Sequence, residues 1–209
     1  MKLSYAIALA ALIAASPVWS AGGDAAAGQT KAAVCAACHG VDGNSVDPQY
    51  PKIAGQHEDY TAQQLALFKN GKRDNAIMLG FSVTLSDQDM ADLGAYFATQ
   101  KATSDIADEA FVAVAQVLYR SGDAKRGIPA CMACHGPTGT GNPASLYPSV
   151  ASQHAKYSAD VLRRFRDGAV YGDPTDARAA IMSQVAKQLT DTEIEALASY
   201  LQGLNSATP

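Results

Sequence analysis

Two short runs carry the chemistry of this sequence: Cys35-Ala36-Ala37-Cys38-His39-Gly40 and Cys131-Met132-Ala133-Cys134-His135-Gly136. In each, the two thiols sit one helical turn apart, which suits two thioether bonds to the two vinyl groups of one haem. The histidine beside the second cysteine then faces the ring, where its imidazole can ligate the iron. Gly40 and Gly136 follow and let the chain turn away close to that ring. Three rival chemistries exist. Four cysteines in an oxidising compartment suggest disulfides, but the spacing argues otherwise. A zinc site would have to bridge the two runs across some 93 residues. A thioredoxin-like redox pair needs a βαβ setting, which the pattern lacks.

The runs belong to a repeat. Tyr50-Pro51-Lys52-Ile53-Ala54-Gly55-Gln56-His57 returns as Tyr147-Pro148-Ser149-Val150-Ala151-Ser152-Gln153-His154. Phe68-Lys69-Asn70-Gly71 returns as Phe165-Arg166-Asp167-Gly168, Ala76-Ile77-Met78 as Ala180-Ile181-Met182, and Leu85-Ser86-Asp87 as Leu189-Thr190-Asp191. The offset drifts from 96 to 104 residues, most of the insertion lying in Ala169 to Arg178. Blocks in one order imply a duplicated domain of about 90 residues.

The second axial position of each iron separates carriers from catalysts. The repeat sorts the methionines. Met132 aligns with Ala36 and is only an intervening residue of its motif, and Met90 aligns with Ile194 on a buried helix face. Met78 and Met182 align with each other ahead of the last helix of each copy. A loop methionine kept in both copies fits ligation better than packing. Histidine–methionine ligation closes the iron and leaves no position for dioxygen or peroxide. His57 and His154 also recur, and as ligands they would make bis-histidine sites; the reading preferred is polar groups at helix starts or hydrogen-bond partners near a haem edge. Pro51 and Pro148 lie 12 and 13 residues after the motif histidines, where a proline carbonyl can accept the imidazole N–H.

The elements that must hold these groups read as helices joined by long loops, an all-α chain without a sheet of consequence. Asp24 and Asp123 are expected caps of a first helix in each copy. Helices are expected over Glu58 to Asn70 and Ala155 to Asp167, closed by Gly71 and Gly168, and another over Glu109 to Tyr119. Each last helix opens on a cap, weakly at Ser86-x-x-Asp89 and as a capping box at Thr190-x-x-Glu193. Their apolar faces are Met90, Leu93, Tyr96 and Phe97, then Ile194, Leu197, Tyr200 and Leu201. The expected division is a leader over residues 1–20, one domain over 21–101, a linker over 102–108 and a second domain over 109–209. Domains this small bury little core, so each half is expected to fold poorly without its haem.

The 209 residues are 48% apolar and 17% charged, a globular rather than disordered balance. A net charge of −4 argues against nucleic acid as partner. The start reads as an address: Lys2, an apolar run from Leu3 to Ala15, then Pro17 and Val18-Trp19-Ser20 before a cleavage expected after Ser20. An uncleaved anchor is the rival, but the run is short for a span. The compartment implied is a bacterial periplasm.

With these motifs in place, the sequence resembles the cytochrome c4 family, two-haem c-type cytochromes of proteobacteria, over its whole length after the leader. The resemblance implies two tandem class I cytochrome c domains, each a few helices around a covalent haem. It places the haems on Cys35 and Cys38 and on Cys131 and Cys134, with axial ligands His39 and Met78, and His135 and Met182. It implies an electron carrier and not an enzyme, periplasmic and often loosely membrane-associated. Electrons would come from a quinol–cytochrome c reductase-type donor and go to a terminal oxidase-type acceptor. The alternatives are the cytochrome subunit of a flavin-linked dehydrogenase and a dihaem peroxidase, although the symmetry of the repeat offers the latter no specialised haem. Residues 21–100 hold 5 basic and 9 acidic side chains, and residues 101–209 hold 10 and 11, with Arg163, Arg164 and Arg166 close together. Two ordinary solvated surfaces are the plain reading; separate docking faces chosen by charge are the sharper one.

Overall fold

Asp24 opens the first helix as expected, its carboxylate accepting from the amides of Ala26 (2.8 Å) and Ala27 (3.2 Å). The computed structural model describes residues 22–205, so the leader expected over 1–20 lies outside the described residues. The first half contains α1 (Ala25–Lys31), α2 (Ala36–His39), α3 (Glu58–Lys69), α4 (Ala76–Ser82) and α5 (Asp87–Ala98). The second contains α6 (Glu109–Ser121), α7 (Met132–His135), α8 (Ala155–Arg166), α9 (Ile181–Ala186) and α10 (Asp191–Gly203). Among the described residues β structure amounts to two isolated bridges, Asp123–Ile128 and Asn142–Tyr147, so the all-α expectation holds.

Each half is built around its last helix. In the first, α5 packs on α1 and α3; in the second, α10 packs on α6 and α8. The expected apolar faces do this work: Met90, Leu93 and Phe97 are buried, as are Ile194, Leu197 and Leu201. Gly28 lets α1 cross α5 closely, since a Cβ there would lie 1.9 Å from the Asp92 carbonyl oxygen. Both last helices start with a full capping box, so Ser86 and Asp89 form a stronger cap than their sequence suggests. Helices α3 and α8 end where expected, with Gly71 and Gly168 at φ 67° and 94°.

Two expectations need correction. Asp123 caps no helix. Asp108 does so for α6, accepting from Ala110 N (3.0 Å), while Asp123 accepts from the amides of Lys125 and Arg126 in a turn closed by its bridge to Ile128. Pro129 stands between that turn and Cys131, and a helix running on from Asp123 would have to absorb its missing N–H. The place against α10 is already filled by α6. Met78 and Met182 also lie near the starts of α4 and α9 rather than in loops. Asn75 caps α4 by accepting from the Met78 amide (3.0 Å).

The stretch between α5 and α6 is irregular and tied to both halves. Asn44 and Lys52 bond to Lys101 and Thr103 from one side; Ser199 and Gln202 bond to Asp108 and Ile106 from the other. The inserted loop of the second copy has a structural role. It lays Tyr171 and Asp173 against Lys72 and Arg73 of the first half, with Gly172 N donating to the Lys72 carbonyl (3.2 Å).

Candidate metal centres

Cys35 immediately precedes α2 and Cys38 lies within it, the His39 amide donating to the Cys35 carbonyl (3.0 Å). The two thiols are therefore one turn apart, as the motif requires; Cys131 and Cys134 repeat this around α7. All four cysteines are free and half-buried, which removes the disulfide rival. Among the described residues no three His, Cys, Asp or Glu side chains gather as a metal cluster. Burial pushes the Cys35 thiol up, and the Cys131 thiol up to about 11, so both stay protonated at neutral pH.

His39 and His135 are both buried. His39 Nδ1 donates to the Pro51 carbonyl (2.9 Å) and His135 Nδ1 to the Pro148 carbonyl (3.0 Å), as the spacing of the prolines led us to expect. A carbonyl oxygen can only accept, so Nδ1 carries the proton in each ring and Nε2 keeps its lone pair for a metal. Burial also lowers both imidazole pKa values, against a smaller opposing effect of the proline carbonyls, and so favours the neutral ligand form. Gly40 and Gly136 take φ 79° and 76° directly after the histidines. The tyrosine rings of Tyr50 and Tyr147 stand 6.4 and 6.5 Å from the two imidazoles. These groups fit an iron porphyrin: two half-buried thiols for its vinyl groups and one oriented neutral imidazole for its metal, while Met78 and Met182 lie half-buried on α4 and α9.

His57 and His154 immediately precede α3 and α8, yet neither side chain caps its helix. His154 Nε2 instead reaches across to the first half, 2.9 Å from the Ser45 carbonyl and 3.0 Å from its hydroxyl. His57 Nε2 is buried with no hydrogen-bond partner. Gly141 stands in the repeat where Ser45 stands, so the second half lacks the hydroxyl that His154 meets in the first. Gly141 sits at φ 76°, and a Cβ there would lie 2.3 Å from the Tyr147 carbonyl oxygen. The arginine cluster is also resolved. Arg163 pairs with Glu195, and Arg166 with Asp191 at 2.8 Å, so two of the three charges hold α8 to α10 and the plain reading of the surface gains.

Sequence reasoning missed Gln56 and Gln153. Their only signal was recurrence in the block that ends at His57 and His154. Each glutamine bonds to the backbone of the opposite half, Gln153 to Lys52 and Gln56 to Ser149.

A profile described as cytochrome c matches the chain twice, over residues 25–101 and 123–205. Cytochrome c4 of Pseudomonas aeruginosa is 47% identical over 88% of this chain and 90% of its own length. A thiosulfate dehydrogenase electron acceptor of Thiomonas intermedia is 35% identical over 88% of this chain and 84% of its own length. The crystal structure of reduced recombinant cytochrome c4 from Pseudomonas stutzeri superposes with a TM-score of 0.83, at 44% identity, over 88% of this chain and all of that one.

Proposed function

Because the chain belongs to the cytochrome c4 family, and so is a dihaem electron carrier rather than an enzyme, we propose that it works in the periplasm, passing electrons along a respiratory chain toward a terminal oxidase. The observation that carries this reading is the paired geometry of His39 with Pro51 and His135 with Pro148, which holds two neutral imidazoles in the orientation a metal needs. Cys35 and Cys38 would hold one haem and Cys131 and Cys134 the other, with His39 and Met78, and His135 and Met182, as the residues that would ligate the irons. When bound, each haem supplies a one-electron ferrous–ferric couple. The protein's part would be to hold the ligating side chains in place and keep water out. Buried histidines and helix-borne methionines suit that task, since burial and helical backbone hold both side chains in place.

Residues 21–101 and 109–209 act as the two haem domains, with 102–108 between them, and the leader over 1–20 exports the chain. No helix among the described residues is long and apolar enough to cross a membrane. The thiosulfate dehydrogenase electron acceptor among the relatives favours a second reading of the donor, in which a dehydrogenase reduces this carrier.

Optical spectra of the pure protein in both oxidation states test the ligands. Met78→Ala and Met182→Ala should each remove about half of the weak sulfur-to-iron band. A band that survives both substitutions together would refute methionine ligation. Rates of reduction by a quinol–cytochrome c reductase and by a dehydrogenase, measured side by side, decide the donor.

A further inference from the structure

The carbonyl that holds each motif histidine belongs to a peptide group whose N–H points at the other half of the molecule. Pro51 contributes the carbonyl that accepts from His39 Nδ1, and the same peptide's N–H, on Lys52, donates to Gln153 Oε1 at 2.9 Å. Pro148 accepts from His135 Nδ1, and that peptide's N–H, on Ser149, donates to Gln56 Oε1 at 3.0 Å. Each glutamine makes three hydrogen bonds. Gln153 Oε1 also accepts from the His154 amide and its Nε2 donates to the Lys52 carbonyl; Gln56 Oε1 accepts from the His57 amide and its Nε2 donates to the Ser149 carbonyl. A flipped amide would set N–H groups against N–H groups, so one orientation satisfies all three bonds of each glutamine.

We propose that Gln153 and Gln56 are positioning residues that act across the interface, each setting the electron richness of the axial histidine in the opposite half through one peptide group. The proposal rests on the reading of His39 and His135 as iron ligands. The physics is that of a resonance-coupled peptide. When its N–H donates to a good acceptor, electron density shifts toward its carbonyl oxygen, and hydrogen bonds in such a chain strengthen one another. A stronger carbonyl acceptor pulls harder on the imidazole N–H, makes the ring a better donor to iron and favours the ferric state. Docking of the halves thereby enters the redox balance of both irons, with the control crossed: the second half tunes the first haem and the first half tunes the second.

The test uses the full holo-protein carrying Gln153→Leu or Gln56→Leu. Proton NMR of the ferric form, taken at a series of fixed ambient potentials, reads each haem through its own methyl signals. The imidazole Nδ1–H resonances of His39 and His135 in the ferrous form read the hydrogen bonds directly. Gln153→Leu should raise the ferrous-to-ferric ratio of the first-half haem by about two- to tenfold and move the His39 Nδ1–H signal upfield, with the second-half haem far less changed. Gln56→Leu should give the mirror result at the second-half haem and His135. Shifts confined to the substituted residue's own half, equal shifts at both haems, or no shift at either would overturn the proposal. Should one variant fail to fold, the other decides alone, since each makes the same crossed prediction. A wild-type protein lacking two sets of histidine-ligated haem signals would instead bring down the ligand assignment.

Discussion

The Arg73 guanidinium of the first half lies 4.2 Å from the Tyr171 ring centroid on the inserted loop of the second half. It also lies 4.6 Å from the Phe68 ring centroid, and Tyr171 in turn packs 4.6 Å from Phe165, so these contacts run from one half into the other. Arg73 also donates to Gln64 Oε1 (2.7 Å) and to the Tyr157 hydroxyl (2.9 Å). Among the described residues it has no carboxylate partner; aromatic faces and neutral oxygens carry the charge.

Arg73→Ala should therefore loosen the two halves from each other. A desolvated cation over two rings, with two hydrogen bonds besides, is worth about 3 kcal/mol. Lys72→Ala breaks the neighbouring pair with Asp173, but both side chains are about half exposed, so the cost should stay below about 1 kcal/mol. Thermal melts of the two variants side by side check the ranking.

The first half should also be sensitive to acid through Asp92. That side chain is 4% exposed and accepts from the Asp24 amide, Lys31 Nζ and Gln88 Nε2, tying α1 to α5. Lys31, then the Asp24 amide, hold its pKa below the usual carboxylate range. A depressed folded value means stability present above the unfolded pKa and lost as the pH falls through the folded one, so the loss begins below about pH 4. Lys31 is shifted upward by Asp89 and Asp92, and its contribution is lost at the other extreme, as the pH rises above about 10.5. Melting temperature against pH for the wild type and Asp92→Asn should show a shallower acid limb in the variant.

Much of this was legible in the sequence because it is local or repeated. The helix ends at Asp24, Ser86, Thr190, Gly71 and Gly168 depend on residues a few positions apart. Pro51 and Pro148 could be placed against the histidines because the block recurs at nearly constant distance from them. What was not legible depends on the interface. Gln153 meets Lys52 across 101 positions and Arg73 meets Tyr157 across 84, and no short-range pattern encodes either contact. Asp123 shows the reverse error. Gly122-Asp123-Ala124 echoes Gly23-Asp24-Ala25, yet one forms a turn and the other opens a helix, because α6 already covers α10.

The unequal histidines make a paired prediction. His154→Leu removes a buried ring bonded to Ser45 and takes a donor from the Ser45 carbonyl, although the Ser45 hydroxyl keeps its bond to the Tyr50 carbonyl, at a cost of about 1–3 kcal/mol. His57→Leu replaces a ring whose buried Nε2 has no partner and should be close to neutral. Chemical denaturation of both variants measures the gap. Equal losses would mean that the two sites are energetically alike despite Gly141.

Haem removal should act unequally on the halves, because their own cores differ. The second half joins Tyr119, Ile128, Phe165, Leu189, Ile194, Leu197 and further buried residues into one cluster, whereas the corresponding cluster of the first half is Ala32, Leu93 and Phe97 with a few half-buried neighbours. At roughly 25 cal/mol per Å² of buried apolar surface, the smaller cluster leaves the first half more dependent on the macrocycle bound at Cys35 and Cys38. A chain made without haem should exchange the amides of α3 and α5 for deuterium faster than those of α8 and α10, and it should lack a single cooperative melt. Uniform protection across both halves of the haem-free chain would show that side chains alone suffice to hold the first half.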